Sequence, residues 1–209
     1  SGFNIAMQDL DIRGAGNLLG AEQSGFITDM GFETYQKILA EAMEELGFET
    51  GISSRSSGDN FVSDCTIETD QLALIPDSYI DMTAEKIRIY KELDSLTSEK
   101  DLINMKNRLT DRFGKMPVEL ERLFDIVRIR QLGQKLGFEK IIIKNGVMIA
   151  FFITNPLSQY YRSDRFSKVL ENVNLNPKLF EIKQPDGRLR IMVRNVDGIS
   201  KAYDILKKL

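Results

Sequence analysis

The residues of this 209-residue chain that could best do chemistry crowd into one stretch, DIRGAGNLLGAEQSGF at positions 11–26. It holds Gly14, Gly16, Gly20 and Gly25, a single arginine, Arg13, and one amide side chain in its second half, Gln23. Gly14, Gly16 and Gly20 are spaced G-x-G-x-x-x-G, one residue off the dinucleotide-binding pattern, and no clear strand leads into them. A phosphate loop ending in Gly-Lys-Ser/Thr is also missing, since Gly114-Lys115 is followed by Met116. Asp9 and Asp11 lie two apart and would diverge on a helix, so they read as solvated or capping residues rather than an acid/base pair. The chain has no histidine, which excludes histidine general bases, the usual serine and cysteine triads, and histidine metal sites. Its one cysteine, Cys65, falls on the apolar face of an alternating run and reads as a small core residue. Catalytic groups, metal ligands and bound cofactors are all expected to be absent.

The elements that must position these residues follow from periodicity. From Met30 to Leu46, apolar residues at Phe32, Tyr35, Ile38, Leu39, Ala42, Met43 and Leu46 mark one face of a long helix, which Gly47 ends. Glu49 to Asn60 has no apolar period and is rich in serine and glycine, so it reads as a linker. Phe61, Cys65 and Ile67 then alternate with Asp64, Thr66 and Glu68, which suggests a strand. Three helices are expected next. The first runs from about Met82 to Leu96, and the second opens on Thr97 or Ser98 as N-cap and stops at Gly114. The third has Pro117 in its first turn and reaches about Leu136. Beyond it, Asn145-Gly146 and Pro185-Asp186-Gly187 each separate two apolar runs and signal hairpins. Phe166, Val169, Leu170 and Val173 mark a short helix, and Ile199, Ala202, Tyr203, Leu206 and Leu209 a final one with Asp197 as cap. The expected class is α+β: an N-terminal helical hairpin and long helix, then about three helices, then antiparallel hairpins covered by helices.

A net charge of −3 conceals an asymmetry. Residues 1–97 carry a balance of −12 and residues 98–209 one of +9. The basic half could meet nucleic acid, but no interleaving of aromatic and basic residues supports base stacking, and solvated helix faces explain it more simply. The longest apolar run, Gly146 to Ile153, is too short to cross a bilayer, so no membrane partner is expected. The N-terminus shows no secretory pattern, and a lone cysteine fits a reducing compartment; both point to the cytoplasm.

The stretch GFNIAMQDLDIRGAGNLLGAEQSGFITDMGFETYQKILAEAMEEL resembles the segment that ends the motor core of bacterial transcription-repair coupling factors. Its first part is shared with RecG-type branch-migration helicases, where it forms the translocation motif, a helical hairpin followed by a loop. Downstream, IPDSYI, KIRIYKEL, LTDRFGKMP and QKLGF resemble the C-terminal regulatory domain of coupling factors, and this resemblance runs to about residue 140. It implies three regions: 1–48 as the end of the second motor lobe, 49–60 as linker, and 61–209 as the regulatory domain. It also implies that Arg13, Gly14, Gly16, Gln23 and Gly25 couple ATP hydrolysis to DNA movement, with ATP and magnesium held by motor lobes upstream of Ser1. On that reading the chain is a C-terminal fragment with no enzymatic activity of its own. The parent, a DNA translocase, would displace stalled RNA polymerase from double-stranded DNA and recruit the excision-repair protein UvrA. The regulatory domain would pack on a UvrB-like module of the parent and hide its UvrA-binding surface. Two alternatives stand beside it: the tail of a RecG-like branched-DNA helicase, and a free-standing nucleic-acid-binding domain.

Overall fold

A computed structural model describes residues 61–209. The expected translocation-motif hairpin, the long helix at 30–46 and the linker at 49–60 lie outside the described residues. Among the described residues, five helices and five strands make an α+β fold. In chain order they are β1 (Thr66–Thr69), α1 (Thr83–Ser95), α2 (Glu99–Phe113), α3 (Val118–Leu136), β2 (Phe138–Lys144), β3 (Val147–Phe152), α4 (Asp164–Leu175), β4 (Glu181–Lys183), β5 (Arg190–Arg194) and α5 (Gly198–Leu206). They fall into two compact units, 72–127 and 61–71 with 128–209, and α3 divides between them at Val127/Arg128.

The first unit is helical. Leu102, Met105 and Leu109 on α2 recur at three- and four-residue spacing and are buried with Ile87, Tyr90 and Leu93 of α1 and Leu120, Leu123 and Phe124 of α3. Each such side chain, once buried, contributes about 1.5–3 kcal/mol. Ser98 caps α2 as its type suggests, its hydroxyl accepting the Asp101 N–H at 3.2 Å, and Gly114 closes the helix at φ 87°. Pro117 stands just before α3 rather than within its first turn, and its carbonyl accepts from Leu120 and Glu121. The loop ahead of α1 is tied down by polar groups inside the core. The Ile75 N–H donates to the Tyr90 hydroxyl at 2.9 Å, and the buried ammonium of Lys86 pairs with Asp77.

The second unit is a five-stranded sheet in the order β1-β2-β3-β5-β4. The hairpins are where the turn residues put them. Asn145 (φ 52°) and Gly146 (φ 72°) form a two-residue primed turn between Lys144 and Val147, which only such residues adopt without strain. The sheet is mixed, however, because β1 pairs parallel to β2, with Ile67 opposite Ile141. Phe61 lies outside β1, with its ring edge-on to Tyr160 at 5.5 Å. Glu139 is an extra residue in β2, since Phe138 faces Phe152 while Lys140 already faces Phe151.

Ile67, Ile141, Ile143, Met148, Ala150, Phe152, Ile191 and Val193 point to one buried face. The helices of this unit gather there. Phe166 of α4 meets the Phe152 ring edge-on at 5.6 Å, and α5 lies against β2. Gly133 of α3 comes so close that a Cβ there would sit 2.6 Å from Cys65 Sγ and 3.1 Å from Ile141 Cδ1. Asp197 precedes α5 but makes no side-chain cap; the Ile199 N–H is taken instead by Gln71 Oε1, at 3.0 Å, from the residues following β1.

Candidate interaction surface

Arg13, Gly14, Gly16, Gln23 and Gly25, the residues singled out for coupling, lie outside the described residues. Within 61–209 the chemistry-bearing groups are placed as structural ones. Cys65 is fully buried, and burial, aided by the Asp64 charge, pushes its thiol pKa well above the ordinary range, so it is no thiolate nucleophile. Burial likewise raises the Tyr160 phenol, which donates to the Leu136 carbonyl oxygen at the end of α3. Among the described residues, no group of three or more His, Cys, Asp or Glu side chains could hold a metal ion.

One open cleft of about 340 Å³ lies where the ends of β1 and β5 meet the β2–β3 turn, lined by Asp70, Gln71, Lys144, Asn195 and Asp197 among others. Several of its polar groups are engaged locally. Asp70 accepts the Asn145 N–H at 2.9 Å, Gln71 caps α5, and the Val196 N–H reaches the Gly146 carbonyl at 2.9 Å. This is a braced loop junction.

The other face of the sheet is more distinctive. Register places three rows across it. The central row is aliphatic, Ile142–Ile149–Met192, ending on Glu68 at one edge and Glu181 at the other. One flanking row reads Lys140–Phe151–Arg190–Lys183, and the other holds Lys144–Val147–Arg194. The apolar members are half-buried, as expected of residues that face away from the helices in a strand alternating every second residue. Glu68 pairs with Lys140 at 2.8 Å and Lys144 at 3.5 Å. Burial works to raise its pKa, but these two lysines outweigh that and hold it below the ordinary carboxylate value. Hydrogen bonds from Arg194 (3.0 Å) and Lys183 hold Glu181 low in the same way. Arg188 and Arg190 are different. Their guanidinium groups lie over the Phe151 ring, 4.6 and 5.7 Å from its centre, and neither forms an ion pair among the described residues. The lack of aromatic-basic interleaving expected from the sequence holds along the chain but not in space. The alternation Arg188, Arg190, Met192, Arg194 was the available signal, since every second residue of a strand shares a face.

Comparison with known proteins adds the lineage. The TRCF domain family model matches residues 69–163. Transcription-repair-coupling factors of Staphylococcus epidermidis and Staphylococcus haemolyticus are 39% and 43% identical over 93% and 95% of this chain. That of Rickettsia typhi is 35% identical over 99%. The chain spans only 15–17% of the length of these relatives. A crystal structure of the C-terminal domain of transcription-repair coupling factor superposes with a TM-score of 0.58 at 17% identity, covering 69% of this chain and 88% of that one, a likeness of fold. The chain carries a TRCF domain and belongs to the transcription-repair-coupling factor family.

Proposed function

We propose that this chain is the C-terminal part of an ATP-dependent DNA translocase, acting in the cytoplasm, that displaces RNA polymerase stalled at lesions and brings in excision repair. The observation that carries this reading is the TRCF domain match at residues 69–163 of this chain, together with its similarity to proteins named transcription-repair-coupling factor. Residues 61–209 serve as a non-catalytic regulator: they dock on the parent's UvrB-like module and mask the surface that UvrA would bind. Arg13 and Gln23, with Gly14, Gly16 and Gly25 shaping the turn, relay movement between motor and DNA, while ATP and magnesium reside in the upstream lobes. Arginine suits that relay because its planar fork of donors grips a carboxylate, a carbonyl or a phosphate in fixed geometry. The names of the relatives favour this family over RecG-type helicases. The test is UvrA affinity. A parent truncated after the position of Asn60 should bind UvrA more tightly than the full-length protein, and adding residues 61–209 in trans should reverse the gain. Equal affinity of the full-length and truncated proteins contradicts masking.

A further inference from the structure

We propose that the open face of the five-stranded sheet is a docking surface for an acidic protein segment that presents apolar side chains. This is a second contact, independent of the masking described above. It lies in the 61–71 and 128–209 unit, and half of it comes from β4, β5 and their connection, beyond the segment that matches the TRCF domain.

Charge decides the partner. Among the described residues the register rows and the Phe151 stack bring Lys140, Lys144, Lys183, Arg188, Arg190 and Arg194 to this face, with Glu68 and Glu181 at the ends of its central row. Glu68 and Glu181 engage four of these cations, and among the described residues Arg188 and Arg190 have no ion-pair partner. Stacking on Phe151 orders their guanidinium groups beforehand, so a carboxylate meets two oriented forks at little entropic cost. Beside them runs the Ile142–Ile149–Met192 row, which rewards an apolar side chain carried by the same segment. Nucleic acid fits less well. The central row is aliphatic, a carboxylate stands at each end of it, and the one aromatic ring is already covered by guanidinium groups. A second copy of the chain would set this positive face against itself, like charge on like.

The experiment uses the intact 209-residue chain, nitrogen-15 labelled, and a fluorescein-labelled peptide of about 18 residues built only of Glu and Leu, with its leucines on one helical face. Comparison probes are an all-Glu peptide of the same length and a single-stranded DNA of about 20 nucleotides. The expected result is saturable binding of the amphipathic acidic peptide, with amide shifts concentrated in β3 and β5. Arg188→Glu, at an exposed position, should weaken it at least about tenfold. Met192→Glu should do the same, with circular dichroism confirming the fold of both variants. If Met192→Glu fails to fold, Arg188→Glu decides alone. The proposal is overturned if the peptide does not bind, if shifts fall elsewhere, or if folded Arg188→Glu binds normally. It is equally overturned if the all-Glu peptide or the DNA binds as tightly, since the surface then recognises any polyanion.

Discussion

Gly133 sits within α3, where glycine ordinarily weakens a helix, so its replacement by alanine isolates a single close contact. Helix propensity alone would favour Gly133→Ala by about 1 kcal/mol. Against that, the new Cβ would lie 2.6 Å from Cys65 Sγ and 3.1 Å from Ile141 Cδ1. Cys65 and Ile141 are both fully buried, so neither can withdraw into solvent. Overpacking of this kind costs about 1–3 kcal/mol, and at the upper end of that range the net loss is about 1–2 kcal/mol. Cys65→Ala alone removes one buried sulfur and costs about 1 kcal/mol. In the double variant the methyl introduced at position 133 occupies the space the sulfur vacates, and stability should return to within about 1 kcal/mol of the parent chain. The coupling between the two sites is therefore favourable by about 2 kcal/mol, inside the range seen for side chains in contact. Because the chain has no tryptophan, urea unfolding is best followed by far-ultraviolet circular dichroism. Gly133→Ala should lower the midpoint by about 0.5–1 M, given the usual denaturant dependence. Additive losses would show that α3 is not seated on Cys65 as described. A stabilising Gly133→Ala would show the same.

Tyr160→Phe removes the hydroxyl that serves the Leu136 carbonyl at the end of α3, and should cost about 1–3 kcal/mol by the same urea assay. Ser98→Ala removes the cap of α2 and should cost about 1 kcal/mol, while Ser98→Asp should restore most of it. Lys140 and Lys144 lower the Glu68 pKa on folding, so their pairing stabilises the chain above the ordinary value of 4.5 and is lost as pH falls through the lowered folded value. Lys140→Ala should thus lower the urea midpoint at neutral pH, and the difference should shrink as pH drops below 4.5. In the parent protein, Arg13→Ala should leave ATP hydrolysis and melting temperature near normal while polymerase displacement fails. Loss of displacement accompanied by unfolding would reduce Arg13 to a turn residue.

Features set by neighbouring residues could be read from the chain. Thr97-Ser98 announced the start of α2, with Ser98 the cap of the two, Gly114 announced its end, and Asn145-Gly146 the β2–β3 turn, because each acts within a few residues of itself. The features that escaped are non-local. The parallel pairing of β1 with β2 joins Ile67 to Ile141 although three helices separate them in sequence, and no local pattern distinguishes it from a further hairpin. Gln71 caps α5 from far away in the chain; local sequence favours Asp197, whereas the fold brings Gln71 Oε1 within 3.0 Å of the Ile199 N–H. Gly133 taken by sequence is a mere weakness in a helix, and its purpose is visible only with Cys65 and Ile141 beside it. The stack of Arg188 and Arg190 on Phe151 likewise needed the register of β3 against β5. Family membership was legible because IPDSYI, KIRIYKEL and LTDRFGKMP are contiguous words that survive without the fold.

If residues 61–209 regulate a motor and are not part of its catalytic machinery, the ATPase rate will show it. It should be measured on the full-length parent, on the parent truncated after the position of Asn60, and on this chain alone, each with and without duplex DNA. The chain alone should show no turnover, and the truncated parent should hydrolyse ATP at least as fast as the full-length protein. DNA-stimulated hydrolysis by the isolated chain, or loss of hydrolysis in a truncated parent that remains folded and binds ATP, would contradict it.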